Sequence, residues 1–465
     1  MELDVAKKLI KKYSPGHVKF IQKASVAERY YKKQNDILFK EKQSDDVENP
    51  LRNSDNRIPS NFYKLQVNQK AAYAFTAPPQ FDVGNDELNV LIKMTLGDAF
   101  TKKCKSLCVQ AANSTVGWLH YWRGVDNKFH YAVVDSREVI PIWTKTLEKE
   151  LMAVLRQYLV INENDGYEYM IYEFWTDREC QAFQRRIDMD IDEGLISYQQ
   201  YSVLDVDTGI AEVTDTYVHG FKEVPFIFFN NNDEMVNDLT DIKELIDAYD
   251  KVFSGFLNDL EDIQELIFIL TNYGGEANSA LGVLQEMKHT KIIQVDSDGP
   301  DDRSGVSTLA IEIPVEARKE MLAITRKAIF EQGMAIDPDP QNFGNSSGVA
   351  LKYLYSLLEL KTGMMETEFR LSFNHLIRAI LEFYKRSAAD ITQTWTRTAV
   401  NNDSELAEIA QKSKGIISDE TIIRNHPWVE NPEDEIIRMQ EQRKQLEPDW
   451  DTVPVVKGVG DGKEE

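Results

Sequence analysis

The sequence predicts a mixed α+β protein built around unusually long helices. Residues 349–386 contain no proline and one glycine, which predicts a single helix roughly 55–60 Å long. Residues 239–267 carry apolar side chains at alternating spacings of three and four, the pattern of a second long helix. Between 117 and 229, short aromatic and β-branched runs are separated by Asp, Asn and Gly, which predicts an antiparallel β region.

Composition and charge exclude several classes of protein. The chain has 465 residues, 42% of them hydrophobic, and ample aromatic residues for real cores. No apolar run approaches the roughly 18–20 residues of a membrane span, and the charged N-terminus lacks the apolar core of a secretion signal. The net charge of −24 argues against a simple nucleic-acid binder, which would carry a basic patch.

The charge is unevenly distributed along the chain. Residues 1–42 have a net charge of +6, which leaves −30 for the remainder. A solvated helix face is the favoured interpretation of this basic segment. Contact with an acidic partner or with DNA is the alternative.

The first part of the chain reads as helices joined by polar connectors. Helical patterns cover 17–42, 61–76 and about 85–114, with a polar connector at 43–60. The Pro78-Pro79 pair ends the second helix. The β region follows these helices in the chain, and the 239–267 helix comes after the β region.

The second part predicts a small module held between two helices. Residues 268–313 read as strands around a short helix and an acidic turn, and a returning helix begins at Pro314, a residue suited to a helix start. A loop rich in Pro, Gly and Asn precedes the long helix at 349–386. Residues 404–447 are helical with an interruption at 426–435, and the end of the chain is expected to be frayed.

The 239–267 helix carries a narrow apolar seam. Its predicted packing residues are Ile246, Tyr249, Phe253, Phe256 and Leu260. The seam packs either within one subunit or against neighbouring helices of the same kind, and the spacing leaves both open. From 233 to 265 there are eleven Asp/Glu and two Lys, which predicts an acidic face opposite the seam.

The sequence contains no motif for catalysis. It lacks a P-loop, a nucleophile elbow and the H-E-x-x-H zinc pattern. Cys104, Cys108 and Cys180 are interpreted as small core residues. We therefore expect no catalytic residue, no metal and no cofactor.

One acidic run has some likeness to a calcium-binding loop. Asp188, Asp190 and Asp192 have the spacing that opens an EF-hand loop, but Glu193 stands where that loop needs Gly, and Gln199 where it needs Glu. A solvated acidic turn is the favoured interpretation.

Four segments, in order, resemble the portal proteins of tailed bacteriophages, of the type found in long-tailed phages of Gram-positive hosts. They are IPSNFYKLQVNQKAAYAFTAPPQF (58–81), the run from VPFIFFNNNDEM to LNDLEDI (224–263), SGVALKYLYSLLELKT (347–362) and GIISDETIIRNHPWVENPEDEI (415–436). The resemblance covers roughly 17–440. None of these segments is a catalytic signature, and their order along the chain carries the resemblance.

The resemblance implies a portal-type fold with a β-containing wing, a two-helix stem, a small α/β clip, a long kinked wing helix and a helical crown. The implied segments are 1–232 for the wing, 233–267 and 314–335 for the stem, 268–313 for the clip, 336–348 for the tunnel loop, 349–387 for the long wing helix, 388–447 for the crown and 448–465 for a flexible tail. Gly363 is the candidate kink. Asp337 and Asp339 are expected to be turn and cap residues.

The resemblance also implies a function. It predicts a homo-oligomeric ring of about twelve subunits at one capsid vertex, assembled in the host cytoplasm, through which double-stranded DNA is packaged and ejected. The implied partners are the terminase large subunit, a head completion or adaptor protein, and the major capsid and scaffolding proteins, with no membrane. The clip would supply docking residues, for which we name Asp296, Asp298, Asp301 and Asp302.

The acidic charge of the chain agrees with a channel through which DNA moves. A strongly basic channel would hold phosphates by counterion release, whereas an acidic lining repels them. The tunnel loop contains no Lys or Arg, and its expected DNA-facing residues are Asn342, Phe343, Gly344, Asn345, Ser346 and Ser347. The alternatives are another phage assembly protein, such as an adaptor or scaffold, and a metal-dependent nuclease that uses the acidic clusters.

Overall fold

The computed structural model describes most of the chain. It covers residues 2–40, 54–124, 126–204, 211–262, 267–271, 305–309, 314–339, 348–397, 403–424, 426, 429 and 432–446. Two compact units are present. Unit 1 comprises Met1–Asp337 and Leu357–Thr398, and unit 2 comprises Pro338–Ser356 and Ala399–Glu465.

Long helices dominate the described residues, as the sequence predicts. They are Leu3–Tyr31 (α1), Phe62–Ala74 (α2), Asp86–Leu96 (α3), Phe100–Ser114 (α4), Ile191–Gly194 (α5), Lys243–Asp262 (α6), Val315–Gln332 (α7), Gly348–Phe383 (α8), Asp403–Lys412 (α9), Asp419–Arg424 (α10) and Pro432–Leu446 (α11).

The predicted β region is confirmed, and the pairings between its strands are antiparallel. The strands of the chain are Gln80–Asp82 (β1), Val116–Arg123 (β2), Phe129–Val134 (β3), Val139–Trp143 (β4), Leu151–Ile161 (β5), Glu168–Trp175 (β6), Glu179–Arg186 (β7), Ile196–Ser197 (β8), Tyr201–Leu204 (β9), Ala211–Thr214 (β10), Thr216–Val218 (β11), Phe226–Asn230 (β12), Ile267–Thr271 (β13), Gly305–Leu309 (β14) and Thr392–Thr394 (β15).

Two sheets form the body of the β region. One has the strand order β12-β2-β3, and the other has β11-β7-β6-β5-β4, with β8 on β7. Trp118 of β2 and Trp175 of β6 are buried in the apolar cluster where side chains of the two sheets meet. The first half of α1 covers the larger sheet through Ala6 and Ile10.

The largest core joins α4 and the smaller sheet to the second half of α8. Phe369 and Phe373 of α8 are fully buried and contact Phe229 of β12, each with ring centroids 5.0 Å apart. The long helix is therefore anchored to the body by aromatic side chains on one face.

The N-terminal helix differs from its prediction. We expected a helix over 17–42, but α1 spans Leu3–Tyr31 with Pro15 inside it. A proline usually breaks a helix. Here Pro15 is exposed, and the burial of Ala6 and Ile10 against the sheet stabilises the preceding turns.

The predicted helix at about 85–114 is two helices. Gly97 separates α3 from α4 with a φ of 67°, a left-handed conformation that favours glycine. The turn directs Phe100 of α4 and Leu96 of α3 into the same core.

The C-terminal boundaries also differ in part. Unit 1 extends past the expected crown boundary at 388 to Thr398, because β15 pairs with β1 and Trp395 packs against Phe75 and Phe373. In unit 2, α9 and α10 are separated at 413–418, a break that the sequence reasoning missed.

Candidate functional site: the helix pair and its root

Helices α6 and α7 form an antiparallel pair, hereafter the helix pair. Arg318, in the first turn of α7, forms an ion pair with Asp259 near the end of α6. At the other end of α7, Ile329 is buried in one cluster with Ile242 and Ile246. Strands β13 and β14, which pair antiparallel, follow α6 and precede α7 in the chain. The returning helix predicted from the sequence is therefore present.

The predicted seam of α6 is covered only near the body. Ile246 is 1% exposed, and Tyr249 is partly buried with its ring 4.9 Å from that of Phe62. Phe253 is 39% exposed and Leu260 43%, while Phe256 is half-buried beneath the Arg318 guanidinium. Phe253 and Leu260 are therefore the exposed members of the predicted seam in the single chain, and their packing against neighbouring helices stays a prediction.

Polar side chains of α6 also pack against the body. Alternate backbone N–H groups of the segment 54–60 donate to side chains spaced four residues apart on α6. The three bonds, hereafter the ladder, are Ser60 N–H to Asp250 Oδ1 at 2.8 Å, Ile58 N–H to Ser254 Oγ at 3.0 Å and Asn56 N–H to Asn258 Oδ1 at 2.7 Å. Alternate residues of an extended chain rise roughly 6.6 Å, and residues four apart in a helix rise about 6.0 Å, so the two repeats match over three bonds.

Asp250 is the most buried member of the ladder. It is 1% exposed and also accepts a hydrogen bond from Asn35 Nδ2 at 2.6 Å. Burial raises its pKa, and the hydrogen bonds from Asn35 and Ser60 offset only part of that rise. The ladder thus fixes α6 to the body through a carboxylate whose acceptors are satisfied.

A buried ion cluster lies at the start of the helix pair. Asp238, ahead of α6, lies 3.2 Å from the ammonium groups of both Lys70 in α2 and Lys361 in α8. Asn231 donates to Asp238 Oδ1 at 2.7 Å and accepts from Lys70 at 2.6 Å. These side chains are almost completely buried.

Charge pairing decides the protonation of this cluster. Burial opposes ionisation of Asp238, but Lys361 and Lys70 outweigh it and lower its pKa to about 2. Burial lowers the pKa of Lys361, while Asp238 raises it. Because three elements each contribute a charge, the cluster joins α2, α8 and the start of the helix pair at one point.

The chain that follows α7 is held at several points. Gln69 of α2 forms two hydrogen bonds with the backbone of Ile336, at 2.8 and 3.2 Å, and Lys361 donates to the Gly333 carbonyl at 2.9 Å. A Cβ at Gly333 would lie 2.7 Å from the backbone carbonyl oxygen of Ile329 and would also clash with the Gln66 side chain, so this close approach requires glycine.

Asp337 has a partner that the sequence did not suggest. We expected a turn or cap residue, whereas Asp337 forms an ion pair with Arg326 of α7 at 2.6 Å. This ion pair therefore fixes the chain to α7 at the start of the predicted tunnel loop.

Most of the predicted contact residues lie outside the described part of the chain. These are the loop residues Asn342, Phe343, Gly344, Asn345, Ser346 and Ser347, and the clip residues Asp296, Asp298, Asp301 and Asp302. Their roles stay predictions.

The predicted acidic face of α6 is only partly a solvated surface. Asp238 and Asp250 are buried, and Asp247 pairs with Lys243 at 2.7 Å. Asp259 pairs with Arg318 of α7, whereas Glu244 is exposed. Several acids therefore stabilise the helix pair rather than line a surface.

Helix α7 carries an apolar stripe that the sequence reasoning missed. Ala317, Met321 and Ile324 are exposed and Ala328 is half-buried, at spacings of four, three and four. Met321 and Ile324 are 46% and 56% exposed. The spacing itself was the available signal, since it is the repeat of helices that pack side by side.

The aspartates of the acidic run form ion pairs, and the three cysteines lie in the core. Asp188 pairs with Arg186 at 2.6 Å and Asp192 with Lys11 at 2.5 Å. Within the described residues, no group of three or more His, Cys, Asp or Glu side chains could hold a metal ion. The three cysteines are buried, as predicted, and burial raises the pKa of the Cys108 thiol to about 12.

Nothing among the described helices suggests a membrane-spanning segment, since none is both long enough and apolar enough.

The sequence is similar to phage portal proteins over nearly its whole length. The family described as "Phage portal protein, SPP1 Gp6-like" matches residues 10–449. The portal protein of Clostridium phage phiCD119 is 42% identical over 466 residues, covering 96% of this chain and 97% of that protein. The portal protein of Bacillus phage SPP1 is 27% identical, covering 90% and 83% respectively.

Solved structures give weaker matches. A chain described as "Neck of empty GTA particle computed with C6 symmetry" aligns with 78% of this chain and 88% of its own length, at 11% identity and a TM-score of 0.41. A chain described as "Neck of native GTA particle computed with C12 symmetry" gives the same coverage, 12% identity and a TM-score of 0.38. Scores this low support no conclusion about this chain.

Proposed function

Because the chain belongs to the SPP1 Gp6-like family of phage portal proteins, we propose that it assembles into a closed ring of about twelve copies at one capsid vertex. The chain is a structural component of the virion with a role in DNA packaging, and it is not an enzyme. Double-stranded DNA enters and leaves through the centre of the ring. Because the family is that of the portal proteins, the alternatives of an adaptor, a scaffold or a nuclease no longer apply.

The observation that carries the ring proposal is the apolar surface left on the helix pair. The α7 stripe of Ala317, Met321, Ile324 and Ala328 faces outward at heptad-like spacing. On α6, Phe253 and Leu260 are also exposed. A monomer would leave these side chains in water, whereas the same surface packed against copies of itself buries them.

A ring rather than a two-fold dimer follows if unlike surfaces meet. The stripe on α7 differs from the exposed surface on α6, which contains Phe253 and Leu260. When one subunit contacts the next through two different surfaces, subunits add head to tail until the rotation between them closes a ring. We assign the helix pair to the stem, 268–313 to the clip, and the earlier β region and α8 to the wing. The crown was expected at 388–447, and we propose that it begins at 399, because unit 1 extends to Thr398.

The docking roles rest on the same assignment. The clip, including Asp296, Asp298, Asp301 and Asp302, is proposed to receive the terminase large subunit and later a head completion or adaptor protein. The major capsid and scaffolding proteins would contact the outside of the ring.

The tunnel loop is proposed to touch the DNA. Residues 336–348 follow α7, and the anchored backbone of Ile336 and the ion pair of Asp337 fix where the loop begins. The proposed contact residues, Asn342 to Ser347, carry no cation that could hold phosphate.

A matched pair of substitutions on α7 tests the ring. Ala317 lies on the stripe and Ala323 lies off it, and both are exposed. Ala317→Glu is expected to shift the protein from rings to monomers in mass measurements, because it buries a charge at the contact. Ala323→Glu adds the same charge and should leave the rings intact. Equal assembly of the two variants would contradict the proposal.

A further inference from the structure

Four lysines that form no ion pair with the described residues lie along one face of α1, and one of them, Lys12, lies over the ring of Tyr13. Lys8, Lys12, Lys19 and Lys23 are exposed, and their spacings of four, seven and four place them on the same side of the helix. Between the two lysine pairs stand Pro15 and Gly16, which have no long side chain. We name these four residues the lysine row.

The lysine row differs from the neighbouring basic residues of the same helix. Lys7 donates to the Asp192 carbonyl at 2.6 Å and Lys11 pairs with the Asp192 carboxylate at 2.5 Å. Lys32 pairs with Glu28 at 2.7 Å. No ion pair in the described part of the chain involves a member of the lysine row.

Within α1, one acid lies on the face of the lysine row and does not balance its charge. Asp4 lies one turn before Lys8 on the same face, and the ion pairs of the described residues do not join the two. Four cations against one carboxylate give this face a positive charge on a chain whose net charge is −24. A local positive surface on a negative protein selects a partner of opposite sign.

The length of the row fits a run of backbone phosphates. Each lysine pair is separated by one helical turn, about 6 Å. The row as a whole spans about 22 Å, the axial length of roughly six phosphates on one DNA strand. Lysine is a point-charge donor that contacts phosphates without reading bases, and Pro15 and Gly16 leave the middle of the row open for close approach.

We propose that the lysine row of α1 binds the sugar–phosphate backbone of duplex DNA without sequence preference. This site is separate from the proposed channel, because α1 is not part of the helix pair. The occupant is DNA rather than a protein because the row is about as long as a run of six backbone phosphates, and because this chain has a role in DNA packaging. The proposal does not depend on ring formation, since each chain carries its own row.

Salt dependence of DNA binding tests the proposal in the full-length chain. Each phosphate contact contributes about 0.9 to the slope of log affinity against log salt, so four contacts predict roughly a 100-fold loss of affinity between 50 and 200 mM salt. Lys12→Gln with Lys19→Gln should reduce that loss to roughly tenfold. The readout is fluorescence anisotropy of a labelled duplex.

The matched control removes the same charge from the same helix. Lys7→Gln with Lys11→Gln takes away two lysines that Asp192 already holds, and should leave the roughly 100-fold salt effect in place. Equal effects of the two double variants would show a general charge effect and overturn the proposal. Salt-independent binding, or no binding of the unaltered chain at 50 mM salt, would also overturn it.

Lysine acetylation in particles distinguishes DNA from an acidic protein. In DNA-filled particles, Lys8, Lys12, Lys19 and Lys23 should react more slowly than in DNA-free particles. Equal protection in both would mean that a protein covers the row, and equal reactivity in both would mean that nothing covers it. Either result would overturn the proposal.

Discussion

The carboxylate of Asp250 accepts a hydrogen bond from the backbone N–H of Ser60 at 2.8 Å, although 190 residues separate the two in the chain. Asp250 lies on α6, and Ser60 ends an extended segment that precedes α2. The bond belongs to the ladder that holds one helix of the proposed stem to the body. Its removal should therefore change stability in a way that exposed acids of the same helix do not.

Asp250→Ala should lower the free energy of unfolding by about 1–3 kcal/mol, since the N–H of Ser60 and the amide of Asn35 would lose their buried acceptor. Glu244→Ala, at an exposed position of α6, should change it by less than about 0.5 kcal/mol. Urea unfolding followed by circular dichroism measures both. Similar values for the two variants would mean that the ladder does not stabilise α6.

Asp238 should make the protein sensitive to acid. Its pKa of about 2 in the folded chain lies below the ordinary value of 3.8. The stability that it contributes is therefore present above pH 3.8 and lost as the pH falls towards 2. The difference in unfolding free energy between the unaltered chain and Asp238→Asn should shrink by about 2 kcal/mol across this window.

The control for Asp238 is an exposed ion pair on α7. Glu331 pairs with Lys327 at 3.7 Å, and both side chains are more than half exposed. Glu331→Gln should cost less than about 1 kcal/mol at neutral pH. If the cost of Asp238→Asn does not change with pH, the two lysines do not hold its charge as inferred.

Phe253→Asp should impair ring assembly more than folding. The side chain is 39% exposed in the single chain and stacks on Tyr249 with centroids 6.1 Å apart, so a monomer tolerates a polar replacement there. A contact between subunits does not tolerate this replacement, because the aspartate carboxylate would be buried there without a partner.

Phe253→Leu is the matched apolar control, and it should assemble. Sedimentation measures the ring, and circular dichroism the fold. Rings of normal stability from Phe253→Asp would show that this side chain faces solvent in the assembly.

Deletion of 340–346 should leave ring assembly intact and impair DNA packaging or retention. The residues before this segment are held by Gln69, Lys361 and Arg326, so the helices remain anchored when the loop is shortened. Packaging of DNA into particles is the readout. Normal packaging by the shortened protein would remove the DNA-contact role from the loop.

Local patterns predicted the element types well, because periodicity reports which face of an element is apolar. The mixed α+β class, the antiparallel β region, the long helix α8 and the buried cysteines followed from such patterns. The same logic was incomplete for α6. An apolar seam was expected to be the buried side, but the ladder also buries Asp250 and Ser254, since a segment distant in sequence donates backbone hydrogen bonds to them.

The sequence also gave no sign of the buried ion cluster at the start of the helix pair. Lys70, Asp238 and Lys361 stand far apart in sequence, and a lone lysine in an amphipathic helix looks solvated. Only the fold shows that the three charges meet in a buried cluster. In contrast, the Ala317–Ala328 stripe was readable from spacing and was overlooked because alanine contributes little apolar signal.

The most direct test of the central claim is the mass and symmetry of the purified full-length protein. Native mass spectrometry and negative-stain electron microscopy should show closed rings of about twelve copies with a central opening. A protein that stays monomeric at every concentration and salt condition, with the apolar surface of the helix pair still exposed, would contradict the proposed portal ring.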